Sequence, residues 1–189
     1  MAVGSIALGK VQMSILPICI YPDPVLRQKA ERVKNIDNGI QRLVDDMIET
    51  MYSAPGIGLA ANQVGRPISV LVIDVKHQEC EYGLIVLINP ELVSERGEIT
   101  FEEGCLSVPE YYAKVKRHEE VVVRGLDRGG EKIEIAAGGL LAIALQHEID
   151  HLEGRLFIDR INPITRDIFK RRWKKKLKEE REEAQPCLD

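Results

Sequence analysis

Long hydrophobic runs are missing from this 189-residue chain. Its longest apolar stretches, residues 68–75 and 84–88, fall far short of the about 20 apolar residues that a bilayer-spanning helix needs, so no membrane span is expected. A surplus of positive charge is missing too: the formal net charge is −4, which argues against wholesale nucleic-acid binding, DNA included. Cysteine is sparse, and Cys19, Cys80, Cys105 and Cys187 are scattered. With no secretory signal to accompany them, they read as thiols of a reducing compartment, the cytoplasm, rather than as a disulfide framework. No repeat stands out, and 44% hydrophobic with 30% charged residues suits one globular domain with a sizeable core. Residues 1–12 are small and apolar, with Lys10 their only charge and placed after the apolar part, the reverse of a signal peptide. They are expected to be a disordered extension, with residues 13–189 forming the single domain.

Histidine is also scarce, four residues in all, yet two of them fall in Gln146-His147-Glu148-Ile149-Asp150-His151. Leu140, Ile143, Ala144, His147 and His151 share one stripe if residues 139–153 are helical, and Gly154 supplies a stop after the last turn. Two imidazoles four apart then aim at one place, where a divalent metal would saturate their nitrogens. Glu148 lies near enough to handle the protons of a water on that metal, the layout of a metallohydrolase. The bland alternative is a helix with two hydrogen-bonded core histidines and a surface glutamate.

Elsewhere, Pro22-Asp23-Pro24 reads as a turn into a short helix over residues 25–30. Residues 36–51 carry a broad apolar stripe behind Asp37 as first-turn cap, and Pro55-Gly56 ends that helix. From residue 68 the period shifts toward two, predicting antiparallel strands over 69–75, 84–89, 91–100 and 120–126. Asp127-Arg128-Gly129-Gly130 marks a hairpin turn before a strand over 132–135. Strands in the middle and helices at the ends give an α+β fold, antiparallel sheets around a central metal-binding helix, closed by a C-terminal helix over about 164–183. Residues 170–178 of that last helix are nearly all basic and the next five nearly all acidic. It reads either as a solvated terminal helix or as a basic patch for RNA or another anionic surface.

A catalytic site of this kind commonly has three protein ligands. Phe157 stands where the metzincin pattern would place a third histidine, and Glu179 to Glu183 lie in a highly charged helix, a poor place for a ligand. Among the thiols Cys105 has the best local setting, framed by Gly104 and Pro109, with a buried structural thiol as the alternative.

Three segments together resemble the signatures of the bacterial peptide deformylase family: Gly56-Ile57-Gly58-Leu59-Ala60-Ala61-Asn62-Gln63, then Glu103-Gly104-Cys105-Leu106-Ser107, then Gln146 to His151. The resemblance runs from about Leu16 through the C-terminal helix. It implies a metal-dependent hydrolase that removes the formyl group from the N-terminal formylmethionine of nascent polypeptides and releases formate. By position, Cys105, His147 and His151 would bind the metal, and Glu148 would be the general acid/base as a metal-bound water attacks the formyl carbon. Gln63 and the Leu106 backbone N–H would form the oxyanion site. Fe2+ is the implied physiological ion, with Zn2+, Ni2+ or Co2+ as substitutes. An iron site with a cysteine ligand should lose activity in air faster than its nickel form.

For the substrate, Ile57, Leu140, Ile143 and Ala144 are candidates for an apolar pocket that takes the methionine side chain. Gly58, Leu59, Glu103, Gly104 and Tyr112 complete the expected substrate-binding set, and Gly56 and Gly58 would let a peptide backbone approach as an added strand. Some close relatives place an arginine at Tyr112. The family pattern implies that Arg117 pairs with Glu103 and braces the Cys105 loop, with a charge-pair network on the surface as the alternative. Docking of the basic helix on the ribosome is a further expectation. Two competing functions are a metallopeptidase with the same His-Glu pattern and a silent, metal-stabilised RNA-binding domain.

Overall fold

The computed structural model describes residues 14–75 and 83–183. The expected extension over residues 1–12 lies outside them, as do Cys80 and Cys187. The first long helix, α1 (Asn38–Ser53), starts where Asp37 Oδ1 accepts the Gly39 and Ile40 amides at 2.8 and 3.0 Å, satisfying donors that the first turn leaves free. The short helix expected over 25–30 is a single 3-10 turn, Pro24–Arg27, capped by the Asp23 carboxylate on the Val25 amide. It stops early because the chain turns extended at Gln28, and Ala30 donates its amide to Leu152 O instead.

Five antiparallel strands form the main sheet: β1 (Gly58–Ala60), β2 (Val70–Ile73), β3 (Ile85–Arg96), β6 (Glu120–Leu126) and β7 (Lys132–Gly138), in the order β1-β2-β3-β6-β7. The remaining strands, β4 (Ile99–Cys105) and β5 (Val108–Arg117), pair only with each other. Two strands expected over 84–89 and 91–100 are one long strand, β3, and the start of β4. Pro90 cannot donate to a ladder, so it sits at a bulge, where the register with β6 slips between Ile88 and Glu91, while the turn at Gly97 breaks the chain. The β6–β7 hairpin turns where expected, with Gly130 at φ +88° and its amide on Asp127 O at 3.1 Å.

Period-two alternation decides what each face of the sheet touches. On β2, Val70 and Val72 point toward α1 and join Val44, Met47 and Met51; Leu71 and Ile73 point the other way. There they meet the second helix, α2 (Gly139–Leu152), through Leu141, Ala142 and Leu145. Each fully buried aliphatic side chain of this kind contributes about 1.5–3 kcal/mol. The other side of α2 meets the β4–β5 ribbon through Glu103, Cys105 and Arg117. It is therefore enclosed nearly all round, and Glu148 is buried rather than a surface glutamate. Gly154, at φ +70°, ends α2 in a fold so tight that a Cβ there would lie 2.5 Å from Arg27 O.

The C-terminal helix, α3 (Pro163–Glu183), is not simply solvated. Phe169 and Trp173 are buried in a separate core with Leu26, Val115, Leu156 and Phe157, and the Trp173 indole N–H donates to Tyr21 O at 2.8 Å. The expected pairs Lys175–Glu179 and Lys176–Glu180 form on its outer side, at 3.4 and 4.0 Å.

Candidate active site

Four stretches of chain meet beside the middle of α2. One helical turn apart, the His147 and His151 rings have centroids 5.0 Å from each other. A register shift between Glu103 and Cys105, at the end of β4, turns the Cys105 side chain toward them. Cys105 Sγ then lies 3.2 Å from His151 Nε2, and one ligand atom from each of Cys105, His147 and His151 falls within 4.8 Å of the others. Ligands at roughly 2.0–2.3 Å around a single tetrahedral ion stand about 3.5 Å apart, so the donor set fits a zinc-like or ferrous ion. Phe157, in the third-histidine position, is a packing residue. Its ring lies nearly parallel to that of His147, 25° between planes, with 6.1 Å between centroids.

The candidate ligands are held from behind. His147 Nδ1 donates to Glu103 Oε2 at 2.8 Å, because a carboxylate can only accept, and this leaves Nε2 for a metal. Arg117 grips Glu103 through Nε at 2.6 Å and Nη2 at 2.9 Å, the pairing read from the sequence, and reaches Asp150 through Nη1 at 2.6 Å. Burial works against both carboxylates, but the Arg117 and His147 hydrogen bonds hold Glu103 below its ordinary range. Asp150 is held at about 2, since hydrogen bonds from Arg160 and the Arg117 charge outweigh burial. Burial would also lower His147, yet hydrogen bonds with Cys105 and Glu103 hold its imidazole well above the usual range. Burial and the neighbouring His147 push His151 well below it.

Glu148 projects from α2 between the two ligands in sequence. It is 4% exposed, burial pushes its carboxyl up to about 7, and its Oε2 has no hydrogen-bond partner among the described residues. A carboxyl that titrates near neutrality can both take and return a proton. The backbone at Gly58 passes so close that a Cβ there would lie 2.4 Å from Glu148 Oε1. Gln63, in a 3-10 turn after β1, accepts the Ala60 amide on Oε1 at 2.8 Å. That fixes its amide group the other way, with Nε2 donating toward Cys105 Sγ at 3.5 Å and Ser107 Oγ at 3.3 Å.

In front of these groups lies a cleft of about 260 Å³. Its lining includes Ile57, Gly58, Gln63, Glu103, Gly104, Cys105, Leu106, Tyr112, Leu140, Ile143, Ala144, His147 and Glu148. Tyr112 is two-thirds exposed and lays its ring across Gly104, where a Cβ would meet it at 2.6 Å. Leu59 is the exception among the expected substrate residues. As the middle residue of β1 it turns its side chain away, into the core under α1. The sequence reading missed Ser107 and Asp150. A second acid two residues after Glu148, in a helix whose first half is apolar, was the available signal for Asp150; a serine beside a candidate ligand is too common to be one.

The sequence pattern of the polypeptide deformylase family matches residues 15–167. A peptide deformylase of Syntrophobacter fumaroxidans is 72% identical over 167 residues, 88% of this chain and 98% of that one. A peptide deformylase from Legionella pneumophila has a TM-score of 0.81 at 45% identity, covering 92% of this chain and 100% of its own. One from Ehrlichia chaffeensis, solved in complex with actinonin, has a TM-score of 0.81 at 41% identity, covering 87% and 98%. The family pattern stops inside α3, at Asp167, so the basic run over 170–178 lies beyond it. Similarity of this extent in sequence, joined to a fold shared along nearly the whole chain, makes this protein a member of the polypeptide deformylase family.

Proposed function

We propose that this chain is a metal-dependent hydrolase that removes the formyl group from the N-terminal formylmethionine of nascent polypeptides. The observation that carries the reading is Glu148: a buried carboxyl with one unpartnered oxygen, beside a three-ligand cluster and open to a cleft. A divalent ion held by Cys105, His147 and His151 would supply Lewis acidity and ready ionisation of a water at neutral pH. Glu148 accepts the proton of the attacking water and returns it to the amine that leaves, so that water and formamide become formate and a free N-terminus. The Gln63 amide, locked by Ala60, and the Leu106 backbone N–H donate to the oxygen as it becomes negative. Leu140, Ile143 and Ala144 offer an apolar wall for an unbranched methionine side chain, and β1, an edge strand with Gly58 in it, offers backbone to an incoming peptide.

The test is formate release from a formyl-methionyl tripeptide by anaerobically prepared, iron-loaded protein, beside Glu148→Ala and a blocked peptide without the formyl group. Formate that depends on Glu148, with no peptide-bond cleavage, supports the reading. Cleavage of the blocked peptide would replace it with a peptidase, and inert metal-replete protein with a silent domain.

Fe2+ as the physiological ion, with Zn2+, Ni2+ or Co2+ as substitutes, belongs to the same proposal. Its support is a donor set that mixes one thiolate with two imidazoles. Iron-loaded enzyme should lose activity in air faster than nickel-loaded enzyme; equal half-lives would count against iron. Cytoplasmic residence belongs to the same reading, and Cys19, a free thiol, is in keeping with it. No helix among the described residues is long and apolar enough to cross a membrane.

Docking on the ribosome through α3 is the remaining part. Lys170, Arg171, Lys174, Lys175 and Lys178 are exposed on it. Deleting the helix would also strip Phe169 and Trp173 from the core, so the clean test reverses those five charges. Loss of co-sedimentation with ribosomes, with formate release from a free tripeptide unchanged, is expected. Unchanged co-sedimentation would remove the reading.

A further inference from the structure

We infer that Asp150 is a positioning residue for the metal centre: by gripping Arg117 from behind, it holds Glu103 against His147 and so fixes which His147 nitrogen faces the metal. This rests on Cys105, His147 and His151 binding the ion, as proposed for the deformylase reaction.

Asp150 is 2% exposed and accepts from three arginines. Arg117 Nη1 and Arg160 Nε reach Oδ2 at 2.6 and 2.5 Å, while Arg160 Nη2 and Arg155 Nε reach Oδ1 at 2.6 and 3.1 Å. Four donors fill the acceptor capacity of a carboxylate, so nothing of Asp150 is left to face a substrate or a metal. Its influence must pass through its partners. Arg160 and Arg155 are partly open to solvent, but the Arg117 side chain is fully buried and spans two carboxylates. With Asp150 at one end, the guanidinium plane cannot turn, and its Nε–Nη2 edge is presented to Glu103 in the two-bond geometry that suits a carboxylate.

Charge acts in the same direction. Were Asp150 neutral, the whole Arg117 charge would fall on Glu103 and weaken it as an acceptor for the His147 N–H. Sharing Arg117 between two carboxylates leaves Glu103 with negative charge to spend on His147, which makes the opposite nitrogen a better ligand. In a purely structural role Asp150 would only anchor the turn after α2, through Arg155 and Arg160. The two roles differ in what happens to the metal.

The experiment titrates Co2+ into the full-length apo protein against a chromophoric chelator and follows the cobalt–thiolate absorption of the Cys105 site. Asp150→Asn should weaken cobalt binding by about 10–100-fold, the range found when outer partners of metal-bound histidines are removed. In a Glu103→Gln background the same substitution should add less than about twofold, because the path it acts through is already cut. Arg160→Ala, which removes the outer partner only, should lower thermal stability and leave cobalt affinity within about threefold. Unchanged affinity in Asp150→Asn, or a full loss repeated on Glu103→Gln, overturns the inference. So does a loss in Arg160→Ala as large as that in Asp150→Asn. If Asp150→Asn does not fold, Arg117→Lys serves, since lysine keeps the charge but cannot span both carboxylates; it should match the loss in Glu103→Gln, and retained affinity overturns the inference. Failure of the underlying deformylase proposal looks different: the unsubstituted protein would then show no cobalt–thiolate band that Cys105→Ser removes.

Discussion

At Gly58 the backbone of β1 passes against the Glu148 carboxylate with no room for a methyl group. Because Glu148 is itself buried, it cannot swing far to make space. Gly58→Ala should therefore displace the proton-transfer group and cost about 100-fold in kcat/KM, a penalty typical of a misplacement near 1 Å. Stability should fall as well, by about 1–3 kcal/mol, because Gly58 is buried and the added methyl overpacks the site. Normal kinetics in the variant would contradict this reading, since neither Glu148 nor peptide approach would then need the glycine. Glu148→Ala should cost more turnover than Gln63→Ala: proton transfer is typically worth ~10²–10⁴-fold, one oxyanion donor ~10²–10³-fold. Comparable losses would contradict the assignment of roles. Burial drives the Glu148 carboxyl up to about 7, which suits the proposed exchange of a proton in both directions.

Among the elements, α2 carries most of the chemistry and is also the one most tightly stopped. Gly154 combines a left-handed φ with backbone packing on Arg27 O, so Gly154→Ala should destabilise by at least about 2 kcal/mol in denaturant unfolding. Gly138, at the other end of the helix, has extended backbone, and a Cβ added to it would meet nothing within 4 Å. Gly138→Ala should be close to neutral, and equal effects at the two glycines would refute the role given to packing. The helix itself, its two histidines and its glycine stop were legible in the sequence because period and punctuation are local. Strand β5 was not: Pro109 and the positive φ of Glu110 hide a ten-residue strand behind a turn signal. Strand β1 is too short to show any period. Cys105 could be favoured but not secured from its neighbours, since its partners stand 42 and 46 residues away, and the motifs supplied the rest. Asp150 shows the same limit, its meaning given by Arg117, 33 residues back.

For the molecule as a whole, a buried charge network ties α2 to the β4–β5 ribbon. The network gives a specific acid response. Asp150 is held at about 2 against an ordinary 3.8, so it binds a proton less readily folded than unfolded. The stabilisation it provides is complete above pH 4 and is lost as the pH falls toward 2, roughly 2 kcal/mol in all. Unfolding midpoints between pH 4 and 2 should fall more steeply for the unsubstituted protein than for Asp150→Asn, and parallel slopes would contradict the assignment. The α+β class, with antiparallel sheets around the metal-binding helix, was legible from the order of periods; that α1 covers the opposite face of the main sheet was not. The anchoring of α3 was not, because a sequence dominated by lysine and glutamate masks Phe169 and Trp173 as the few residues that decide where the helix lies.

The Trp173 indole reaches back to the Tyr21 carbonyl, 152 residues earlier in the chain. On a ribosome, this closure has to wait until both ends of that span have emerged, while the Cys105 thiol comes out 42 residues ahead of its first histidine partner. A chain interrupted in that interval bears the Cys105 thiol without either histidine that would share its ion, so unfinished copies cannot act on their neighbours.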